Sequence, residues 1–320
     1  MAQRQLGAPL GRSRGVQTTT RVVHGALYFA VMTAGPAAAV RSVRVFDDVA
    51  DEYDRRRPTY PDELVTTACE FAGIGSCDRV LEVGCGSGQL TRSLLARGLR
   101  VTAVEPGGRL LALAKQNLQG CDDVNFAHVP FEDAHLPRSH FRAVFSASAF
   151  HWINPAIGWQ KAADVLVPGG TLALIQYFGL SDQHSKADQQ ALLAAVGRIA
   201  PEIAAKWPSY RGLSATVAGV EQRRENISEA WSWLGGYELA RACAGKLFSN
   251  VQMAAVPVLL EQSADQLNAL VRTMSHYARL TPAQRQALEG ETRALYERLG
   301  RPIRSTTVAV AVTARRSTVA

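Results

Sequence analysis

The sequence lacks the cysteine pattern of a disulfide-bonded or zinc-binding protein. It has five cysteines in 320 residues, and no two of them form a C-x-x-C pair. Disulfide frameworks usually use an even number of cysteines, and structural zinc sites usually have ligands paired at short spacing. The sequence therefore favours a reducing compartment, and we expect a cytoplasmic protein.

The sequence also has no apolar run long enough to cross a membrane. An apolar stretch at residues 25–34 follows arginines, but it is too short to span a bilayer. Residues 1–44 contain six arginines and no acid, and they account for most of the formal net charge of +7. We expect residues 1–44 to be a disordered or non-native extension rather than an export signal. We expect neither stable membrane insertion nor nucleic-acid binding, because no basic, aromatic RNA-binding module is visible.

The most informative segment is a glycine-rich loop that follows a short apolar run. Residues 80–83 predict a β-strand, and Gly84, Gly86 and Gly88 come directly after it. Three glycines in five residues weaken a packed element unless a ligand approaches the backbone closely. The next apolar run ends in Glu105, a carboxylate suited to accept hydrogen bonds from a ribose. The two segments together predict a nucleotide-type pocket.

The glycine spacing distinguishes between nucleotide ligands. A dinucleotide fingerprint, G-x-G-x-x-G, has its third glycine at a position where this chain has Gln89. Glu82 stands two residues before the first glycine, and a carboxylate there disfavours a pyrophosphate. A ligand with an adenosine and a cationic amino-acid end fits better, and S-adenosylmethionine has both. We expect it as the cosubstrate; a nicotinamide-dependent oxidoreductase and a glycine turn without a ligand are the alternatives.

Four segments resemble one enzyme family. Residues 82–88, Glu-Val-Gly-Cys-Gly-Ser-Gly, resemble the first motif of class I S-adenosylmethionine-dependent methyltransferases. Residues 141–153, 167–172 and 53–61 resemble the fourth-strand region, the turn into the fifth strand and the N-terminal entry segment of its small-molecule branch. That branch is the methyltransferase type 11 and trans-aconitate-methyltransferase-like group. The resemblance is strong over about residues 45–178 and weaker from about 245 to 316.

Alternating short apolar runs and helical patterns predict an α/β fold with a doubly wound sheet, which binds ligands at the carboxyl ends of its strands. The resemblance implies the Rossmann-like methyltransferase fold, with seven mostly parallel strands and an antiparallel last strand. The expected strands are Arg79–Val83, Arg100–Glu105, Val124–Val129, Ala143–Ala147, Thr171–Tyr177, Phe248–Leu260 and Ser305–Ala314. Helices are expected to begin near Gly88, Gly107 and Asn154, and to cover Ala264–His276 and Pro282–Leu299.

The chain is expected to form one methyltransferase domain over residues 45–320. Residues 181–247 have helical patterns and several aromatic residues but no clear strand. We predict that they form a helical cap insertion over the pocket. The alternative is a helical excursion whose aromatic side chains fill its own core.

The predicted cofactor site consists of residues at strand ends. Cys85 supplies a small side chain within the loop, and Glu82 is expected to influence the loop and the ammonium group of the ligand. The resemblance implies that Glu132 or Asp133 faces the adenine amino group and that Ala147 lines the methionine end. The full predicted set is Glu82, Gly84, Cys85, Gly86, Gly88, Glu105, Pro106, Glu132, Asp133 and Ala147.

The predicted substrate side consists of His151 and Trp152 as candidate catalytic residues. His151 could act as a general base, could orient a carboxylate or hydroxyl group, or could simply cap the following helix. Tyr53, Arg57 and Tyr60 are expected to close over the cofactor as a lid, and an arginine there could meet an anionic substrate. The alternative is that they belong to a surface salt-bridge segment.

Two missing motifs narrow the predicted reaction. Ala147-Ser148-Ala149 follows the fourth strand, where nucleic-acid and protein amino-group methyltransferases often have Asn/Asp-Pro-Pro-aromatic. No Asp is available there for Mg²⁺, so we expect no metal ion. We predict methyl transfer to oxygen or carbon of a small-molecule acceptor. The alternatives are an NAD(P)-dependent oxidoreductase and a non-catalytic methyltransferase-like binding module.

Overall fold

The fold was analysed in a computed structural model that describes residues 46–205, 210–235 and 244–318. The predicted extension at residues 1–44 lies outside the described residues. Within the described part of the chain, no helix is both long enough and apolar enough to span a membrane.

A seven-stranded sheet in the order β3-β2-β1-β4-β5-β7-β6 forms the centre of the fold. Strands β1 to β5 pair in parallel, and β7 runs antiparallel to both of its neighbours, β5 and β6. The prediction of a doubly wound seven-stranded sheet with an antiparallel last strand is therefore confirmed. The strands are β1 (Arg79–Val83), β2 (Arg100–Glu105), β3 (Val124–His128), β4 (Phe141–Ala147), β5 (Leu166–Gly179), β6 (Phe248–Gln262) and β7 (Ile303–Arg316).

Helices fill the connections between these strands. They are α1 (Ala50–Arg56), α2 (Asp62–Ala72), α3 (Gln89–Leu95), α4 (Gly108–Asn117), α5 (Pro155–Val165), α6 (Lys186–Ile199), α7 (Pro201–Ala204), α8 (Leu213–Glu221), α9 (Ile227–Gly235), α10 (Ala244–Leu247), α11 (Ala264–Arg272), α12 (Ser275–Ala278) and α13 (Pro282–Leu299). Gly88, Gly107 and Asn154 are the N-cap residues of α3, α4 and α5, as their positions in the sequence predict. The Asn154 side chain accepts a hydrogen bond from the Ala156 amide, which supplies a partner for one free helix-terminal N–H.

The sheet separates two hydrophobic cores. Alternate residues of β7 point to opposite faces: Val308, Val310 and Val312 belong to one core, and Ala309 and Ala311 belong to the other. Helices α2, α3 and α4 cover the alanine face, and α5 and α9 cover the valine face. Burial on both faces explains why these strands are nearly continuous apolar runs.

The segment 181–247 contributes to the core on the valine face of the sheet. Trp231 on α9 is fully buried against the sheet, and its ring lies 5.9 Å from the ring of Phe178 on β5. Helices α8, α9 and α10 therefore share the core of the sheet, whereas Ala191 and Leu192 of α6 pack against a smaller cluster formed by Leu267, Leu295 and Ile303. Its role as a cap over the pocket stays a prediction.

We predict that Trp231→Ala lowers the free energy of unfolding by about 3–5 kcal/mol, because it removes a fully buried aromatic side chain and leaves a cavity. Leu259→Ala is the matched control: Leu259 is 48% exposed, and its loss should change stability by about 0.5 kcal/mol or less. Urea denaturation followed by circular dichroism measures both changes. Equal effects of the two substitutions would show that α9 is not part of the core.

Candidate functional site

The glycine loop turns sharply at the carboxyl end of β1. Gly84 has φ +73° and Gly88 has φ +88°, a backbone conformation that glycine adopts at little cost. The Gly84 amide donates a hydrogen bond to the Val104 carbonyl of β2, at 2.8 Å. A Cβ on Gly84 would lie 2.3 Å from the Cβ of Ala149, in the loop that follows β4. The loops after β1 and β4 therefore approach so closely that only glycine fits.

Glu105 joins this loop to the carboxyl end of β2. Its Oε2 accepts a hydrogen bond from the Gly86 amide at 2.9 Å, and its Oε1 accepts one from the Gly107 amide at 2.8 Å. Burial raises the pKa of Glu105, and these two amide donors oppose that rise. A carboxylate oxygen can accept two hydrogen bonds, so each oxygen retains capacity for a ligand hydroxyl. Pro106 lies between Glu105 and Gly107 in the chain, and its carbonyl oxygen lies 3.2 Å from Nε2 of His128.

Glu82 is buried between β1 and α3. Its carboxylate accepts a hydrogen bond from the Thr91 hydroxyl at 2.6 Å. Burial raises the pKa of Glu82 to about 8, and the nearby Glu105 raises it further, while the Thr91 hydrogen bond opposes the rise. The carboxyl group is therefore largely protonated at neutral pH. The structure shows Glu82 holding the first turn of α3 against the strand.

Cys85 is a buried side chain in the same loop. Burial raises the pKa of its thiol well above the ordinary value, and the acidic side chains of Glu82 and Glu105, where ionised, act in the same direction. A thiol in this environment stays protonated, so it is a poor nucleophile.

The acidic pair after β3 has a different environment from Glu105. Glu132 accepts a hydrogen bond from the Asn154 amide at 2.8 Å, and its carbonyl accepts one from Lys161 at 2.7 Å. Asp133 is exposed. Glu132 thus stabilises the entry into α5, and an adenine-binding role for either acid stays a prediction.

The lid residues Tyr53, Arg57 and Tyr60 lie against the strand ends. The Tyr53 ring comes within 3.7 Å of the point where a Cβ on Gly86 would lie. The Arg57 guanidinium lies 5.1 Å from the centre of the Tyr53 ring, a distance typical of a cation–π contact. The Tyr60 hydroxyl lies 2.9 Å from the Ser148 hydroxyl at the end of β4. The structure therefore brings these three side chains together with the glycine loop.

Helix α1, which contains Tyr53 and ends next to Arg57, is held along α4. Asp51 forms an ion pair with Arg109 at 2.8 Å, and Asp54 accepts a hydrogen bond from Asn117 at 2.9 Å. These contacts place the C-terminal end of α1, and hence Arg57, beside the strand ends.

His151 and Trp152 lie in a 3₁₀ turn after β4. Burial lowers the pKa of His151 to about 3, the positive charge of Arg57 lowers it too, and a hydrogen bond with Gln176 opposes the shift. The imidazole is therefore neutral at pH 7 and a weak base. The Trp152 ring lies 5.5 Å from the ring of Phe46, edge to face. His151 is thus a poor general base at neutral pH, and a catalytic role for His151 or Trp152 stays a prediction.

Several site residues have no signal in the sequence motifs. Ala147 pairs with Ile175, so Ser148, Gln176 and Tyr177 reach the same edge of the sheet. The Tyr177 ring stacks on Tyr60 at 5.6 Å. Ser148 has φ +54°, and a positive φ at a residue other than glycine is a form of backbone strain that clusters at functional sites. The motif that resembles the family in this region ends at residue 172. It therefore does not identify Gln176 and Tyr177, at the far end of β5, as site residues.

Among the described residues, no group of three or more His, Cys, Asp or Glu side chains is placed to hold a metal ion. Glu105 and Arg57 bring charges of opposite sign to this site, and Asp47 adds a further carboxylate beside Gly107.

Comparison with known proteins assigns this domain. A family model described as "Methyltransferase domain" (Methyltransf_11) matches residues 81–174. An uncharacterized methyltransferase of Mycobacterium tuberculosis is 34% identical over 132 residues, which are 41% of this chain and 51% of that protein. A demethylmenaquinone methyltransferase of Clavibacter sepedonicus is 28% identical over 139 residues, which are 42% of this chain and 56% of that protein. The chain thus spans about half the length of the curated relatives it matches.

A solved structure from Anaeromyxobacter dehalogenans, provisionally described as a type II methyltransferase, has the same fold. Its TM-score is 0.53 at 22% identity, over 81% of this chain and 97% of that one. The resemblance of the first motif is confirmed by the family match, whereas the trans-aconitate branch is not specifically supported. The glycine loop and Glu105 lie within residues 81–174, and the match of this region to the family model confirms its resemblance to class I S-adenosylmethionine-dependent methyltransferases.

Proposed function

We propose that this chain transfers the methyl group of S-adenosylmethionine to an oxygen or carbon atom of a small-molecule acceptor. The observation that carries this proposal is the Glu105 carboxylate, which is hydrogen-bonded to the Gly86 amide and so fixed beside the glycine loop. A fixed carboxylate next to exposed backbone is the arrangement that binds a ribose in nucleotide sites. The proposal assigns Glu105 to the two ribose hydroxyls.

The other residues of the loop fit the same ligand. The Ser87 hydroxyl is buried and has no hydrogen-bond partner among the described residues, so the loop retains an unsatisfied polar group. Gly84 and Gly86 are partly exposed and add no side chain that would obstruct a ligand, and Glu82 supports the helix after the loop through Thr91. In this proposal Ala147 lines the methionine end, and Glu132 or Asp133 faces the adenine.

The chemistry follows from what each side of the site supplies. S-adenosylmethionine, when bound, supplies an electrophilic methyl group for in-line displacement by the acceptor. Tyr53, Tyr60 and Trp152 exclude water, and His151 orients the acceptor. Most of the rate enhancement then comes from positioning and desolvation, with little acid–base catalysis, because His151 is a weak base.

A small acceptor is supported by the aromatic side chains around the lid and by one relative. Demethylmenaquinone methyltransferase is named for a quinone-type acceptor, and carboxylates and phenols are the other candidates. We also propose a cytoplasmic location, because an exported enzyme would lack this cosubstrate. A non-catalytic binding module would show the same cofactor site without turnover, and an oxidoreductase would bind NAD.

The decisive test is calorimetric titration with S-adenosylhomocysteine and, in parallel, with NAD. We expect micromolar binding of S-adenosylhomocysteine only, and a loss of about 10- to 100-fold for Glu105→Ala, because hydrogen bonds to charged groups contribute about 1.5–3 kcal/mol. Glu63→Ala, at an exposed acid of α2, is the control and should bind like wild type. Binding of NAD alone, or of neither ligand by folded protein, would contradict the proposal. Transfer of a labelled methyl group to carboxylates, phenols or quinones then separates an enzyme from a binding module.

Gly84→Ala should disrupt both the loop and ligand binding. An alanine at this position would have an unfavourable positive φ, and its Cβ would overlap Ala149. Each effect costs about 1–3 kcal/mol. We expect a lower thermal midpoint and at least a tenfold loss of S-adenosylhomocysteine affinity. Gly75→Ala is the matched control, because a Cβ there meets nothing within 4 Å and φ is ordinary. Similar behaviour of the two variants would show that the close approach of the loops is unimportant.

Glu82 should make stability depend on pH. Its pKa is raised to about 8 in the folded state, so between about pH 5 and pH 8 the folded state binds more protons than the unfolded state. Stability must therefore fall as the pH rises through this window, by on the order of 4 kcal/mol. Glu82→Gln removes the titrating group, so the variant should lose this component of the pH dependence. Its free energy of unfolding should therefore rise relative to that of wild type as the pH approaches 8. Unfolding free energies at pH 5.5, 6.5, 7.5 and 8.5 measure it, and parallel profiles for the two proteins would refute the assignment.

A further inference from the structure

Two arginines share one tryptophan ring within the segment 181–247. The guanidinium carbon of Arg211 lies 4.2 Å from the centre of the Trp233 ring, and that of Arg223 lies 4.9 Å from it. Both distances are typical of cation–π contacts. Gly219 of α8 allows the ring to lie against the helix, because a Cβ at that position would overlap the ring. Trp233 therefore gathers two positive charges around one side chain.

No described carboxylate neutralises either of these charges. Nη1 of Arg211 donates a hydrogen bond to the Trp233 carbonyl at 3.4 Å, and Nη1 of Arg223 donates one to the Gly219 carbonyl at 2.7 Å. Within residues 46–205, 210–235 and 244–318, no Asp or Glu oxygen lies within 4.0 Å of either guanidinium. Each arginine thus uses one donor on a backbone carbonyl and makes no ion pair in this part of the chain.

The acids nearest to Arg223 in sequence pair with a different arginine. Arg224 lies 3.0 Å from Glu221 and 3.7 Å from Glu225, and its side chain is 63% exposed. Burial lowers the pKa of Arg211, and the positive charge of Arg223 lowers it too, so these two guanidinium groups repel each other. Partly buried charges of like sign are costly unless an anion joins them.

The two arginines lie near the edge of the sheet that carries the site. The Arg211 carbonyl accepts a hydrogen bond from the Ser181 amide at 2.9 Å, and Arg211 forms an isolated β-bridge with Leu180, directly after β5. Leu180 is three residues beyond Tyr177, and a strand rises about 3.3 Å per residue, so the bridge lies roughly 10 Å from the Tyr177 backbone. The cluster is therefore reached from the carboxyl end of β5, on the side of the segment 181–247.

The charge and the donors of the cluster indicate which ligand would fit. A guanidinium presents a planar fork of N–H groups that matches the oxygens of a carboxylate or a phosphate. Arg211, Arg223 and Trp233 are all partly exposed, so a small molecule can reach them. Two positive charges are balanced by a ligand with two negative charges, which is either a phosphate group or a pair of carboxylates.

We propose that Arg211 and Arg223 form a binding site for a small molecule that carries two negative charges. Trp233 positions both guanidinium groups for this ligand. Because the site lies beyond Tyr177 and away from the glycine loop, its position favours the acidic end of the acceptor as the ligand. That assignment to the acceptor rests on the proposed function, whereas the anion site itself does not.

The first arm of the test titrates inorganic phosphate and glutarate separately into the intact protein, near pH 8 and in a buffer without other oxyanions. We expect wild type to bind at least one of them, and the tighter one identifies the group. Arg211→Gln and Arg223→Gln should each weaken this binding by about 10- to 100-fold. Arg211→Lys, which keeps the charge and loses the fork, should show an intermediate loss.

Arg224→Gln is the matched control for both substitutions. It removes the same charge from the next residue in the chain, but from an arginine that already has acidic partners. It should bind phosphate and glutarate like wild type. The thermal midpoint of each variant shows whether its fold is intact, and Arg211→Lys and Arg223→Gln test the site even if Arg211→Gln is unstable.

The second arm repeats the titrations on protein saturated with S-adenosylhomocysteine. An anion that belongs to the acceptor must bind together with the cosubstrate product, so we expect its affinity to be unchanged. Arg211→Gln and Arg223→Gln should bind S-adenosylhomocysteine like wild type, because neither residue lies in the proposed cofactor site.

Four results would overturn the inference. Wild type could bind neither anion, or both glutamine variants could bind it like wild type. Arg224→Gln could lose as much affinity as they do, which would reveal only an effect of net charge, or the anion could compete with S-adenosylhomocysteine for its site. Failure of wild type to bind S-adenosylhomocysteine would instead refute the proposed function, and the first arm would still decide whether the anion site exists.

Discussion

The hydrogen bonds from the Gly86 and Gly107 amides to the Glu105 carboxylate are the constraint on which the rest of the site depends. They join the loops after β1 and β2, which are distant in sequence, through one buried side chain. Glu105 can make this connection because parallel pairing brings Val83 opposite Val104, so that both strands end at the same edge. The Tyr53 ring then packs on the loop that Glu105 has fixed. Removing the carboxylate would release the loop, the start of α4 and the surface under Tyr53 together.

Burial at this edge keeps most ionisable side chains neutral. Glu82 is largely protonated at neutral pH, the Cys85 thiol stays protonated, and His151 stays unprotonated, in each case chiefly because burial disfavours the charged form. Glu105 and Arg57 are the side chains that keep a charge beside these neutral groups, and the two charges have opposite signs. A site of this kind suits a reaction in which a cationic group loses its charge, because a poorly solvating surrounding favours the neutral product.

Local sequence patterns predicted the positions of the strands well. Features that depend on tertiary contacts could not be predicted in the same way. β1 and β2 have the bounds that their apolar runs predict, and Pro282–Leu299 was predicted in full. β5 begins at Leu166 rather than at Thr171, because pairing with β4 extends the strand through Gly169 and Gly170, which read locally as a turn. In the site, a short motif revealed the glycine loop. The hydrogen bond between Tyr60 and Ser148 could not be predicted, because it joins residues 88 positions apart.

The position of β7 has a consequence for how the chain folds during synthesis. β7 is the last strand in sequence, yet it lies between β5 and β6. Until residues 303–316 leave the ribosome, the edge of β5 has no partner strand, and β6 has nothing to pair with. An unpaired apolar edge invites association with other chains. The time for which this edge of β5 stays exposed during synthesis therefore depends on how quickly β7 follows.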